Sequence, residues 1–93
     1  QLKELVVLYF SDYLIELLKF CPNLEVFFML ADEYGTDEVV KQLAEYCPLL
    51  QSMSLMYWHG VDDESLQKLL EKCPNLREIN ELPLTSRDPS KIK

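Results

Sequence analysis

Ninety-three residues, 48% of them hydrophobic and including four Phe, five Tyr and one Trp, can bury one small core and make at most one domain. Sixteen acidic against nine basic residues leave a net charge of −7; that field repels nucleic-acid phosphates and anionic membranes unless a local basic patch offsets it, and the sequence has no such patch. No apolar run approaches the roughly 20 residues of a membrane span, and the opening QLKELVVLYF lacks the basic, apolar and small-residue regions of a signal peptide in that order.

In chain order, the first strand is expected near 3–8. A helix near 12–20 follows a short turn that Ser11 or Asp12 would cap. The helix carries apolar residues at i, i+3, i+4 and i+7 (Leu14, Leu17, Leu18, Cys21) and stops at Cys21-Pro22. Proline has no amide hydrogen and disfavours helical geometry in the residue before it, so the chain must turn there. The apolar period then changes to Leu24, Phe27, Met29, and a strand is expected near 25–30.

The same passage recurs at Cys47-Pro48 and Cys73-Pro74, 26 residues apart each time (47−21 and 73−47). Helices near 37–46 and 63–72 bury the stripes Val40, Leu43, Ala44, Cys47 and Leu66, Leu69, Leu70, Cys73. Strands near 51–56 and 77–80 come after them. Thr36 and Asp62 stand where a side-chain oxygen can cap, with Asp37, Glu38, Asp63 and Glu64 in the first turns, where the helix dipole favours negative charge. The first unit is shorter: Leu2 to Leu24 spans 22 residues, against 26 from Leu24 to Leu50. A helix and a strand repeating at this period, neither able to bury its apolar face alone, is the signature of a solenoid.

At this point VDDESLQKLLEKCPNLREI (61–79) resembles the cysteine-containing class of leucine-rich repeat, whose pattern runs roughly I/L/V-T-D-x-x-L-x-x-L-x-x-x-C-P-x-L-x-x-L-x-L. Residues 35–55 match it through Thr36, Asp37, Val40, Leu43, Cys47, Pro48, Leu50, Met53 and Leu55. The departures are Asp32 and Trp58 at the position that usually closes the strand loop, and Glu81 where the last strand should have a leucine. The resemblance implies an α/β fold, a short right-handed βα horseshoe with a parallel sheet on its concave face and helices on its convex face. Residues 1–84 would hold three βα units plus a terminal strand. Residues 85–93 would form a polar C-terminal tail, either mobile or wrapped back along the repeats. The first strand, apolar at Leu2, Leu5, Val7 and Leu8 with nothing to shield its edge, reads as belonging to a fragment.

Three cysteines cannot all pair within one chain, and their matching positions point to free thiols in a reducing compartment, cytoplasmic or nuclear. Neighbouring packed helices lie about 8–10 Å apart, too far for a shared metal ion or a relaxed disulfide; the thiols are read as small buried core groups. His59 is single and sits beside Gly60 in an expected loop. Ser52 and Ser54 have no justified histidine and acid partners, two glycines cannot cradle a phosphate, and the acidic pairs are better explained as caps than as a cation loop. The chain is therefore expected to have no enzymatic activity, cofactor or metal, and no small-molecule substrate is evident.

What remains is surface. If Phe27 and Met29 point into the core, Val26, Phe28 and Leu30 point out. One row across the concave face then reads Leu8, Leu30, Met56, Leu82 and its neighbour Val6, Phe28, Ser54, Asn80. An apolar stripe on an open sheet usually marks binding, and Tyr57 and Trp58 suit either core or interface. The expected protein-binding residues are Val6, Leu8, Phe28, Leu30, Ser54, Met56, Trp58 and Asn80. The resemblance implies a protein-interaction module like the repeats of F-box ubiquitin-ligase subunits, although no F-box lies in these 93 residues. A purely structural segment packed within a larger chain or assembly is the alternative.

Overall fold

The computed structural model describes residues 2–30, 35–56 and 60–92. Strands and helices alternate: β1 (Glu4–Val7), α1 (Asp12–Leu18), β2 (Val26–Met29), α2 (Thr36–Tyr46), β3 (Ser52–Leu55), α3 (Asp63–Lys72) and β4 (Glu78–Ile79). A short strand, β5 (Leu82–Pro83), and one 3-10 turn (Pro89–Lys91) complete the described elements. The sheet order is β1-β2-β3-β4-β5, with β1 to β4 parallel and β5 antiparallel to β4.

Cys47-Pro48 and Cys73-Pro74 end α2 and α3 by one local geometry, whereas α1 ends earlier than expected, at Leu18 with Lys19 as its cap, and reaches Cys21-Pro22 through a turn in which Phe20 and Cys21 donate to Leu17 and Leu18. Cys47 (φ −124°, ψ 67°) and Cys73 (φ −116°, ψ 76°) leave helical space as a following proline requires, while their amides still donate to Leu43 and Leu69. The leucine three positions on then donates to the cysteine carbonyl: Leu24 to Cys21 (3.2 Å), Leu50 to Cys47 (3.2 Å) and Leu76 to Cys73 (3.1 Å). Each turn delivers the chain to the sheet in the same register, where Glu25 and Val26 donate to Lys3, Gln51 and Ser52 to Glu25, and Arg77 and Glu78 to Gln51.

One sheet face is buried and the other is open. Phe27, Met29, Met53, Leu55 and Ile79 pack with Leu18, Val40, Leu43, Leu66 and Leu69 of the helices in a single core. The thiols lie in the same layer: Cys73 Sγ is 3.3 Å from the Cys47 carbonyl oxygen and Cys47 Sγ is 4.0 Å from that of Leu18. All three cysteines are free and buried.

Four further details differ from the sequence-based expectation. Thr36 does not cap α2; it is the first helical residue and is buried, and the cap position is Gly35 at φ 77°, with no side-chain bond. Glycine is required there twice over, by the left-handed backbone and because a Cβ would run into the Phe10 ring. Ser11 and Asp62 do cap, accepting from the amides of Leu14 (3.3 Å) and Ser65 (2.8 Å). Leu17 is 42% exposed, whereas Leu43 and Leu69 at the matching positions are fully buried, because α2 and α3 each have a preceding helix against that flank and α1 has none among the described residues. Tyr13 on α1 and Phe20 just after it are exposed as well.

The remaining two differences concern the last strand. β4 is only two residues long, and Leu82 leaves the expected row: it sits on β5, paired with Ile79 across a two-residue loop. Asn80 (φ 53°) and Glu81 (φ 66°) both take positive φ, as the tight hairpin turn that suits twisted strands demands. Beyond β5, Arg87 reaches back to donate to the carbonyls of Leu70 (2.8 Å), Cys73 (2.8 Å) and Leu76 (2.9 Å) at the end of α3. Residues 85–92 thus wrap along α3, with Ile92 half-buried against the core.

Candidate functional site

Parallel pairing places the outward side chains in rows. The register aligns Glu4, Val26, Ser52 and Glu78 in one row, and Val6, Phe28 and Ser54 in the next. Backbone bonds carry the register one residue further, with Leu30 donating to Val7 (2.9 Å), Met56 to Met29 (3.2 Å) and Asn80 to Met53 (2.8 Å). Leu8, Leu30 and Met56 therefore form a third row, and Asn80 closes the second. Val6, Leu8 and Met56 are 66%, 55% and 62% exposed, while Phe28, Leu30 and Ser54 are half-buried between neighbouring strands. Seven of the eight expected residues thus share one face. Trp58 lies outside the described residues, as do Asp32, Tyr57 and His59.

The face is not flat. A cleft of about 320 Å³ opens between Phe28, Leu30, Ser54, Met56, Asn80 and Glu81. Its far wall exists because β4 ends at Ile79. Where a longer strand would have continued the ladder on β3, the Asn80 side chain does so instead: its Oδ1 accepts from the Leu55 amide at 2.9 Å. Asn80 is therefore a wall of the cleft whose amide oxygen is already engaged. Glu81, which the sequence reading noted only as a departure from pattern, is the cleft residue that reading missed; the Asn80-Glu81 turn that puts it there was the available signal.

No charge on this face is compensated from within. Glu4, Glu78 and Glu81 are the charged residues on the described rows and cleft, and neither ion pair among the described residues involves them. Asp37 behaves differently. Burial would raise its carboxyl, but the Ser65 hydroxyl, the Asp62 amide (3.1 Å) and the Lys41 ammonium (3.3 Å) outweigh it and hold the group below its ordinary range. That carboxylate ties α2 to the start of α3 and is structural.

Cys47 and Cys73 are poor nucleophiles. Burial pushes Cys47 up to about 12 and Cys73 up to about 11, so both stay protonated at neutral pH. Among the described residues no group of three or more His, Cys, Asp or Glu is placed to hold a metal ion. No described helix is long and apolar enough to cross a membrane. Neither family models, curated proteins nor solved structures match the chain, so its own geometry carries the functional reading.

Proposed function

We propose that the chain is a protein-interaction module whose open sheet face grips a polypeptide. The observation that carries this reading is the contiguous apolar surface of Val6, Leu8, Phe28, Leu30 and Met56, set on a rigid ladder around a cleft. A solvated sheet face ordinarily alternates polar residues into these positions, and apolar patches that persist in water mark binding sites. By resemblance of the Cys-Pro-x-Leu units, the module is a leucine-rich-repeat segment. It would serve as the substrate- or partner-binding region of an F-box-like ubiquitin-ligase subunit in the cytoplasm or nucleus, without catalytic activity of its own. The ligase assignment is an analogy of fold, because function resides in sites rather than folds.

A second reading has its own support. Tyr13 (87% exposed) and Leu17 (42% exposed) lie at i and i+4 on α1, at positions whose counterparts Val39 and Leu43 are buried, and Phe20 (78% exposed) follows in the turn after the helix. Under this reading the chain is a structural segment stacked within a larger assembly, and the open face is one more internal contact.

Phe28→Ser and Met56→Ser separate the two. For a binding module, peptides selected from a random display library on the wild-type chain lose capture by either variant while Tm stays within about 4 °C, the shift that corresponds to roughly 1 kcal/mol in a domain of this size. Absence of any selectable peptide, with a lowered Tm when the variants are placed in a larger parent assembly, supports the structural segment.

A further inference from the structure

We infer that the segment gripped by this face is basic: an apolar anchor for the cleft, with Lys or Arg within a few residues of it. The inference rests on the proposed function and adds the chemistry of the partner. It starts from an asymmetry. The described rows of the open face hold eleven residues, Glu4, Val26, Ser52, Glu78, Val6, Phe28, Ser54, Asn80, Leu8, Leu30 and Met56, of which two are acidic and none basic. Glu81 adds a third carboxylate at the cleft itself.

Position makes these charges effective. Glu78 opens β4 two residues before Asn80, which begins the turn, and at about 3.3 Å of rise per extended residue its backbone position stands roughly 7 Å from the cleft wall. That is within the Debye length of about 8 Å at physiological ionic strength. A partner that seats an apolar side chain between Phe28, Leu30 and Met56 therefore brings its flanking residues into the field of Glu78 and Glu81. No ion pair among the described residues neutralises either one. An acidic flank is repelled and a basic one is attracted, and the chain's overall charge of −7 reinforces the preference during approach.

The test uses three labelled synthetic peptides with a common Leu-Phe-Leu core, flanked on each side by two lysines, two glutamines or two glutamates. Fluorescence anisotropy is read on the wild-type chain, on Glu78→Gln/Glu81→Gln, and on Glu64→Gln/Glu71→Gln, which removes equal charge from exposed positions of α3. The lysine peptide should bind about five- to tenfold tighter than the glutamine peptide, the size expected of two exposed ion pairs. That margin should fall below about twofold in Glu78→Gln/Glu81→Gln or at high salt, and should persist in the α3 variant. Equal binding of lysine and glutamine peptides would overturn the charge inference and leave the apolar face intact. A lysine preference that follows the α3 substitutions instead would reduce it to non-specific attraction and overturn it equally. If no peptide binds and Phe28→Ser changes nothing, the proposed function falls and this inference with it. High salt gives the same readout on the unmodified chain, so poor folding of a variant does not protect the inference.

Discussion

Glu81 carries a backbone cost as well as a charge. Its φ of 66° is one that residues with a Cβ rarely adopt, and a two-residue hairpin loop with both residues at positive φ favours glycine at its second position. Glu81→Gly is expected to stabilise the domain by up to about 1 kcal/mol, read as a higher urea midpoint with unchanged slope. An unchanged or lower midpoint would mean the turn is held by contacts other than its own backbone preference. The buried thiols set an alkaline limit. Burial raises Cys47 to about 12 and Cys73 to about 11 from an ordinary 9.0, so between those values the unfolded chain releases protons that the folded chain keeps. A raised pKa contributes stability that is complete below about pH 9 and lost as pH climbs toward 12, at a slope of at most about 1.4 kcal/mol per pH unit for each thiol. Urea midpoints should be flat from pH 7 to 8.5 and fall above 9, and Cys47→Ala should flatten the fall while lowering the plateau.

At the scale of elements, sequence position and burial part company on α1. Leu43→Ala and Leu69→Ala should each cost about 2–5 kcal/mol, because both side chains are wholly enclosed between adjacent helices. Leu17→Ala, at the equivalent place in the repeat, should cost under about 1 kcal/mol, and equal losses at the three positions in denaturant melts would contradict the exposure of that flank. The Cys-Pro rhythm made the helix stops, strand starts and open-face rows legible, since each follows from local rules: proline geometry, periods of 3.6 and 2, and Ser11 or Asp62 as caps. The differences are tertiary or fall on subtler turn chemistry. Nothing local to Leu17 says that no described helix packs against its flank. The cap falls on Gly35 rather than Thr36, and the Phe10 ring that leaves no room for a side chain there is distant in sequence. Asn80 at the hairpin was readable as a turn residue, but the repeat pattern argued for a continuing strand, and the pattern lost. Arg87 sits in a stretch with no periodicity, so its three carbonyl partners emerge only from the folded path.

For the whole molecule, the two ends of the sheet are finished differently. At the β5 end a hairpin turns the sheet edge, Leu84 donates to Arg77 at 2.7 Å, and Arg87 donates to the carbonyls of Leu70, Cys73 and Leu76 at and just beyond the close of α3. At the β1 end the edge strand has no partner on its outer side among the described residues, and Leu2, Tyr9, Tyr13, Leu17 and Phe20 lie exposed. Local stability follows enclosed apolar contact and paired backbone, so it should rise from β1 toward the middle of the sheet and hold to the β4 end. Hydrogen exchange read by mass spectrometry is expected to show β1 and α1 exchanging first, with α2, β3 and α3 last and together. Arg87→Ala should selectively speed exchange in the last turn of α3 and around Leu76 without altering α1, because it removes three charge-assisted bonds at one end of the stack. Uniform protection from β1 to β4 would mean that the domain opens only as a single unit. A speeding of α1 by Arg87→Ala would show that the two ends are coupled through the core, so that the stability of the sheet is set as a whole.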